Sequence, residues 1–320
     1  MMQEQSLPPL VLERRLESRV WGGAQLAHWL NLAAAPAPLA EVWLIYAENR
    51  ILGGPLAGLT LAEATARHGA ALVGAANTAR SGDQFPLLAK LLDAADHLSV
   101  QVHPDDAYAH TVEAATGFSG KTEAWYILEA APGADLIHGF TRAVSREECA
   151  AAVHDNTLLE LLRRVPARAG ETVFVPAGTI HAINAGVMLF EIQQTSDLTY
   201  RVYDYGRPRE LHLERALDVL NYQPSPAAVQ APERLDERAT RLVSCDYFTM
   251  ERWELAAPLE SATDPATFEI WTAIDGAATL RSAHGALSLA RGDAVVLPAS
   301  LGAFTFEPAG SATLLRCYAP

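Results

Sequence analysis

The sequence predicts a mainly β protein of two jelly-roll barrels, with helices inserted into the first. Three observations carry that reading. From Leu98 onward, short β-type runs separated by Gly/Pro turns dominate the pattern. One segment recurs: Ala169-Gly170-Glu171-Thr-Val-Phe-Val-Pro176-Ala177-Gly178 is matched by Arg291-Gly292-Asp293-Ala-Val-Val-Leu-Pro298-Ala299-Ser300. Glycine, an acid, a strand and Pro-Ala at one spacing describe a jelly-roll hairpin, and two copies imply two barrels. Between the barrels, Pro224, Pro226 and Pro232 favour an extended, weakly packed chain. The expected division is a first barrel over 1–221, a linker over 222–236 and a second barrel over 237–320.

The elements follow in order. Residues 7–20 read as extended, and Trp21-Gly22-Gly23 as a turn. A helical segment is expected over about 60–74: Thr60 can cap it, Glu63 lies three residues on, and Gly74 ends it. The apolar run within Gln84–Asp96 fits strand or helix equally. A second helical segment spans about 145–164. It opens on the capping-box pattern Ser145-Arg-Glu-Glu148 and continues with a helix capped by Asn156 that carries Leu158, Leu159, Leu161 and Leu162. Glu210 to Leu220 reads as one more short helix, and 240–320 as all β.

The chain has 320 residues, 50% hydrophobic and 19% charged, which is ordinary globular composition. A net charge of -14 argues against nucleic acid or an anionic membrane as partner. It leaves room for a local Lys/Arg cluster that binds a small anion. Cys149, Cys245 and Cys317 form no CxxC, so neither a disulfide framework nor a thiolate zinc site is indicated, and a reducing compartment is expected. Met1–Pro9 lacks the regions of a signal peptide, and no charge-free apolar run reaches the ~18 residues of a membrane span. The expectation is a soluble cytoplasmic protein, monomeric or weakly homo-oligomeric.

Chemistry concentrates in three runs. In Ser99-Val-Gln101-Val-His103-Pro-Asp-Asp106, Gln101 and His103 at i and i+2 share a strand face. Lys121 and Glu123 repeat that spacing in Gly120-Lys-Thr-Glu-Ala-Trp-Tyr126, and Thr172–His181 ends in another histidine. His, Glu and His with an oxygen donor form a divalent-metal set. In the second copy of the repeat Ala303 stands where the first has His181, so one metal site is expected, in the first barrel. Asp105-Asp106 reads as a turn or helix cap, and no Gly-rich phosphate loop is present.

Four segments together resemble the type I mannose-6-phosphate isomerases, most closely their short bacterial branch. They are Ser99–Asp106, Gly120–Tyr126, Val175-Pro-Ala-Gly-Thr-Ile-His181-Ala, and Glu191-Ile-Gln-Gln-Thr-Ser-Asp197-Leu-Thr-Tyr-Arg201-Val-Tyr-Asp-Tyr205. The resemblance implies cupin-like barrels, an aldose–ketose isomerase acting on a sugar phosphate through a cis-enediol, and one Zn2+ per chain. It places the metal ligands on Gln101, His103, Glu123 and His181. The active-site arginine falls on Arg201, a proton-handling carboxylate on Glu191, and substrate contacts on Ser99 and Lys121. Lys121 thus counts among both the catalytic and the substrate-binding residues. Asp197 matches a family position of less defined role.

One departure stands out. The family pattern Gly-Glu-Ser-Trp-Glu-Ile-Ser reads here Ala40-Glu41-Val42-Trp43-Leu44-Ile45-Tyr46. If the changed residues line the pocket, substrate preference has shifted. The rival readings are a related metal-dependent isomerase of another sugar phosphate, an iron cupin dioxygenase, and a non-catalytic sugar-binding cupin.

Overall fold

The computed structural model describes residues 6–320; Met1–Gln5, on which the signal-peptide reading partly rests, lie outside the described residues. In chain order the strands up to residue 203 are β1 (Arg15–Glu17), β2 (Glu41–Ile45), β3 (Leu87–Ala94), β4 (Val100–Val102), β5 (Glu123–Ala130), β6 (Asp135–Phe140), β7 (Leu162–Pro166), β8 (Thr172–Val175), β9 (His181–Ile183), β10 (Val187–Gln194) and β11 (Tyr200–Tyr203). They form two antiparallel sheets, β1-β2-β3-β10-β5-β8 and β11-β4-β9-β6-β7. Eight further strands follow: β12 (Glu233–Arg234), β13 (Ala239–Ser244), β14 (Thr249–Leu255), β15 (Leu259–Ala262), β16 (Glu269–Ser282), β17 (Gly285–Ala290), β18 (Ala294–Leu297) and β19 (Ala303–Tyr318). These build a third sheet around β14-β19-β16. The architecture is the expected mainly β, jelly-roll one, with opposed sheets whose ladders do not run continuously round a barrel.

The six-stranded sheet is covered on both faces. Val42, Leu44, Leu87, Ala89, Leu91, Ala124, Tyr126, Met188, Phe190 and Ile192 point one way and pack with Phe248, Phe268, Ile270 and Leu315 of the C-terminal sheet. The alternate residues Leu92, Trp125, Ile127 and Leu189 point the other way and pack with Leu136 and Ile183 of the five-stranded sheet. The outer face of that second sheet carries Val100, Val102 and Val202 and is roofed by residues of the helices Arg146–His154 and Leu213–Val219, including Cys149 and Ala216.

Burial on both faces explains why Gln84–Asp96 showed no period: all eight residues of β3 are buried, so the apolar/polar alternation is erased. Thr60 and Glu63 do form a reciprocal capping box, but the predicted helix breaks at Gly69 (φ +44°) into Leu61–His68 and Ala70–Val73. Ser145 caps Arg146–His154 through the Glu148 amide. The Asn156 cap is a correction. Asn156 is left-handed (φ +58°), and Thr157 stands at the cap of a one-turn helix, Leu158–Leu161. Leu162 already begins β7, because it is buried against the five-stranded sheet. Residues 222–236 are held, not loose: Ala228 O accepts from Phe174 N, and Gln230 N donates to Thr172 O. The repeated hairpin is present twice, with Gly170 and Gly292 at φ +86° and +87°, a conformation glycine adopts without strain.

Candidate metal centre and active-site cavity

Strand alternation decides what enters the space between the first two sheets. On β2, β3, β5 and β10 the residues in phase with the inner face include Glu41, Trp43, Lys90, Glu123, Trp125 and Glu191. From the opposing sheet, register aligns Arg201 with Gln101, Gln101 with His181, and His181 with His138. The result is a cavity of about 320 Å³. Ser99, Gln101, Lys121, Glu123, His181, Glu191 and Arg201 all line it. His103 lies just behind, 1% exposed.

His103, Glu123 and His181 converge, with their candidate ligand atoms within 4.8 Å of one another. Glu123 Oε2 is 3.5 Å from His103 Nε2, and Oε1 is 3.3 Å from His181 Nε2. Each imidazole is oriented from behind: Nδ1 of His103 donates to Leu198 O and Nδ1 of His181 to Thr179 O, both at 2.8 Å. A carbonyl only accepts, so Nδ1 carries the proton and Nε2 presents a lone pair. Burial, with the Lys121 charge nearby, pulls the His103 pKa well below its usual value. Burial pulls His181 down to about 4. Both rings are therefore neutral donors at pH 7. His103 Nε2 and Glu123 Oε2 are buried without a hydrogen-bond partner, an arrangement that a cation completes. The Gln101 amide reaches the same point, 3.3 Å from His181 Nε2.

Beside this set lies a charged frame. Lys90 Nζ is 3.1 Å from Glu191 Oε1 and 3.4 Å from Glu41 Oε2. Trp125 Nε1 donates to Glu191 Oε2 (3.1 Å), and Trp43 Nε1 to Glu41 Oε2 (2.7 Å). Burial works against the charge of Lys90, yet Glu191, Glu41 and Glu123 outweigh it and keep the ammonium protonated. Glu191 moves upward, driven by burial and the Glu123 charge and only partly offset by Lys90. Lys121, before β5 rather than in it, holds Nζ 3.3 Å from Glu123 Oε2. Arg201 spends Nη1 on Glu210 O (2.7 Å), while its Nε is buried without a partner. Asp197, Arg19 and Arg209 also line the cavity.

Every site residue named from sequence thus falls in or directly behind one cavity. The register shifts after Arg201, and Tyr205 lies beyond β11. Lys90 was missed. Its signal was a lone ammonium in the apolar run Leu87-Leu-Ala-Lys-Leu-Leu92, a charge that needs a buried partner. Two of the changed residues of the 40–46 segment turn away from the site. Val42 and Leu44 enter the apolar core, whereas the retained Glu41 and Trp43 line the cavity.

Comparison with known proteins agrees with this geometry. Residues 10–122 match the family model "Phosphomannose isomerase type I, catalytic domain", and 238–319 match "Mannose-6-phosphate isomerase, cupin domain". The chain is 35% identical to the mannose-6-phosphate isomerase ManA of Bacillus subtilis over 93% of this chain and 96% of that one. It is also 35% identical to the mannose-6-phosphate isomerase of Streptococcus mutans, over 93% of this chain and 95% of the relative. The crystal structure of the mannose 6-phosphate isomerase from Bacillus subtilis superposes with a TM-score of 0.87 at 32% identity, covering 97% of this chain and 99% of that one. With its cupin sheets and its His–Glu–His cluster, the chain belongs to the type I mannose-6-phosphate isomerase family.

Proposed function

We propose that this protein interconverts mannose 6-phosphate and fructose 6-phosphate in the cytoplasm, with one Zn2+ held by Gln101, His103, Glu123 and His181. The observation that carries it is the placement of a neutral His/His set and a carboxylate beside the buried Lys90–Glu191 pair in one cavity. Two nitrogen donors and a carboxylate suit zinc, which when bound supplies positive charge that polarises sugar oxygens. The family's enzymes of this name set the substrate class.

Aldose–ketose exchange moves one proton between C2 and C1 of the open-chain sugar through a cis-enediolate. Glu191 takes and returns that proton: Oε2 is anchored by Trp125, while Oε1 faces the Lys90 ammonium at 3.1 Å. Its raised pKa lies closer to neutrality, as a general base requires. Lys90 offsets the carboxylate's charge as the enediolate forms. Arg201, with a free Nε, and Lys121, with Ser99, hold the phosphate and hydroxyl oxygens; a guanidinium fork fits an oxyanion. Residues 1–221 contain all of this machinery, 222–236 connect, and 237–320 lack the histidine pair. Since the cavity keeps Glu41 and Trp43, a shift to another sugar phosphate is not favoured. A coupled isomerase assay on mannose 6-phosphate, run before chelation, after it and after zinc return, tests the proposal. Turnover that vanishes and returns supports it; zinc-loaded protein without turnover overturns it.

A further inference from the structure

The charged frame around Lys90 occurs twice in this chain. In the first half Lys90 on β3 sits between Glu191 on β10 and Trp43 on β2 as direct cross-strand partners, and Glu41 lies two residues before that tryptophan. In the C-terminal sheet Arg316 on β19 sits between Glu251 on β14 and Trp271 on β16, and Glu269 lies two residues before that tryptophan. The contacts repeat with the register. Arg316 reaches Glu251 at 3.1 Å and Glu269 at 2.6 Å. Trp271 Nε1 donates to Glu269 at 2.6 Å, as Trp43 Nε1 does to Glu41 at 2.7 Å. Each cation lies 5.8 Å from the centre of its tryptophan ring.

The copies differ in one respect. In the C-terminal sheet two guanidinium nitrogens of Arg316 hydrogen-bond one carboxylate each. In the first half the single Nζ of Lys90 is shared, 3.1 Å from Glu191 Oε1 and 3.4 Å from Glu41 Oε2. Glu41 is itself fixed by the Trp43 indole. Burial opposes its charge, but Lys90, the indole and Arg19 together hold its pKa below the usual carboxylate value. Glu41 therefore shares the Lys90 ammonium with Glu191. Without it, Glu191 would be the one carboxylate within 4 Å of that ammonium among the described residues.

We infer that Glu41, held by Trp43, is a positioning residue for the isomerisation: it holds the Lys90 ammonium between two carboxylates and so keeps it from pairing with Glu191 alone. This rests on the isomerase reading above. The C-terminal copy supplies the control, since Glu269 occupies the matching place far from the metal ligands in sequence and function.

The experiment measures kcat, KM and zinc content for wild type, Glu41→Gln, Trp43→Phe and Glu269→Gln. Glu41→Gln should lower kcat at least tenfold with KM and zinc content within twofold of wild type. Trp43→Phe should lower kcat several-fold and spare zinc content, and it decides the matter if Glu41→Gln does not fold. Glu269→Gln should lower thermal stability and leave kcat per folded molecule unchanged. A wild-type kcat in Glu41→Gln, or an equal kcat loss in Glu269→Gln, overturns the positioning role while the isomerase reading stands. Zinc-loaded wild type without turnover overturns both.

Discussion

Gln101 and His181 are direct cross-strand partners, eighty residues apart in the chain, and their side-chain nitrogens lie 3.3 Å apart. That pairing brings two of the proposed ligands together and gives the first prediction. His181→Ala removes a donor whose lone pair is oriented by Thr179, and should reduce zinc affinity by a factor of about 100 or more, following the sensitivity of such oriented ligands. Gln101→Ala removes a weaker amide donor and should cost about tenfold. Competitive chelator titration, read as bound zinc, ranks the two; equal losses or no loss would contradict the assignment.

Glu191 is 3% exposed and is the proposed base. Glu191→Gln keeps shape and the Trp125 contact but cannot accept a proton. It should lower kcat by about 10²–10⁴, the range for a lost general base, with zinc content unchanged. In wild type the acidic limb of kcat should lie above the ordinary carboxylate range, because burial and Glu123 raise the Glu191 pKa and activity needs the deprotonated form. A steady-state pH series on both proteins checks this.

In the proposed mechanism Arg201 contributes its fork, not only its charge. Arg201→Lys should therefore raise KM for mannose 6-phosphate by about tenfold or more, since a lysine cannot replace paired donors on an oxyanion. Inorganic phosphate inhibition should weaken in parallel. Unchanged KM and inhibition constants would remove Arg201 from the substrate contacts.

His103, His138 and His181 are all buried with pKa values below the usual one, His138 and His181 at about 4, burial being the largest cause in each. The unfolded chain takes up protons near ~6.5 that the native rings refuse. Their contribution to stability is thus full above ~6.5 and declines as pH falls toward 4 in metal-free protein. Thermal melts of chelated protein from pH 7.5 to 4.5 should show a falling Tm. His138→Gln, outside the ligand set, should flatten that slope.

Arg316→Met strips the one cation from Glu251 and Glu269, both at most 4% exposed. Leaving buried carboxylates unpaired should destabilise the fold by about 3–5 kcal/mol. Chemical denaturation measures the loss; activity at low denaturant should persist.

The sequence by itself determined the jelly-roll class, through a repeated Gly-acid-strand-Pro-Ala segment, and it pointed to the proposed ligands through three β-type runs and a family resemblance. Local rules carried Thr60 and Ser145 as caps for the same reason: their partners lie three residues away. What only the tertiary structure decided involves distance along the chain. Whether Leu87–Ala94 is strand or helix depends on apolar layers covering both of its faces, and those layers come from the five-stranded sheet and from the C-terminal sheet. Lys90 has meaning only once Glu41 and Glu191, 49 and 101 residues removed, meet its ammonium. The 40–46 segment reads as altered in sequence, yet the pleat sends Val42 and Leu44 into the core and keeps Glu41 and Trp43 on the cavity. A strand's period assigns faces from sequence alone; which face meets the substrate is set by what packs against the other.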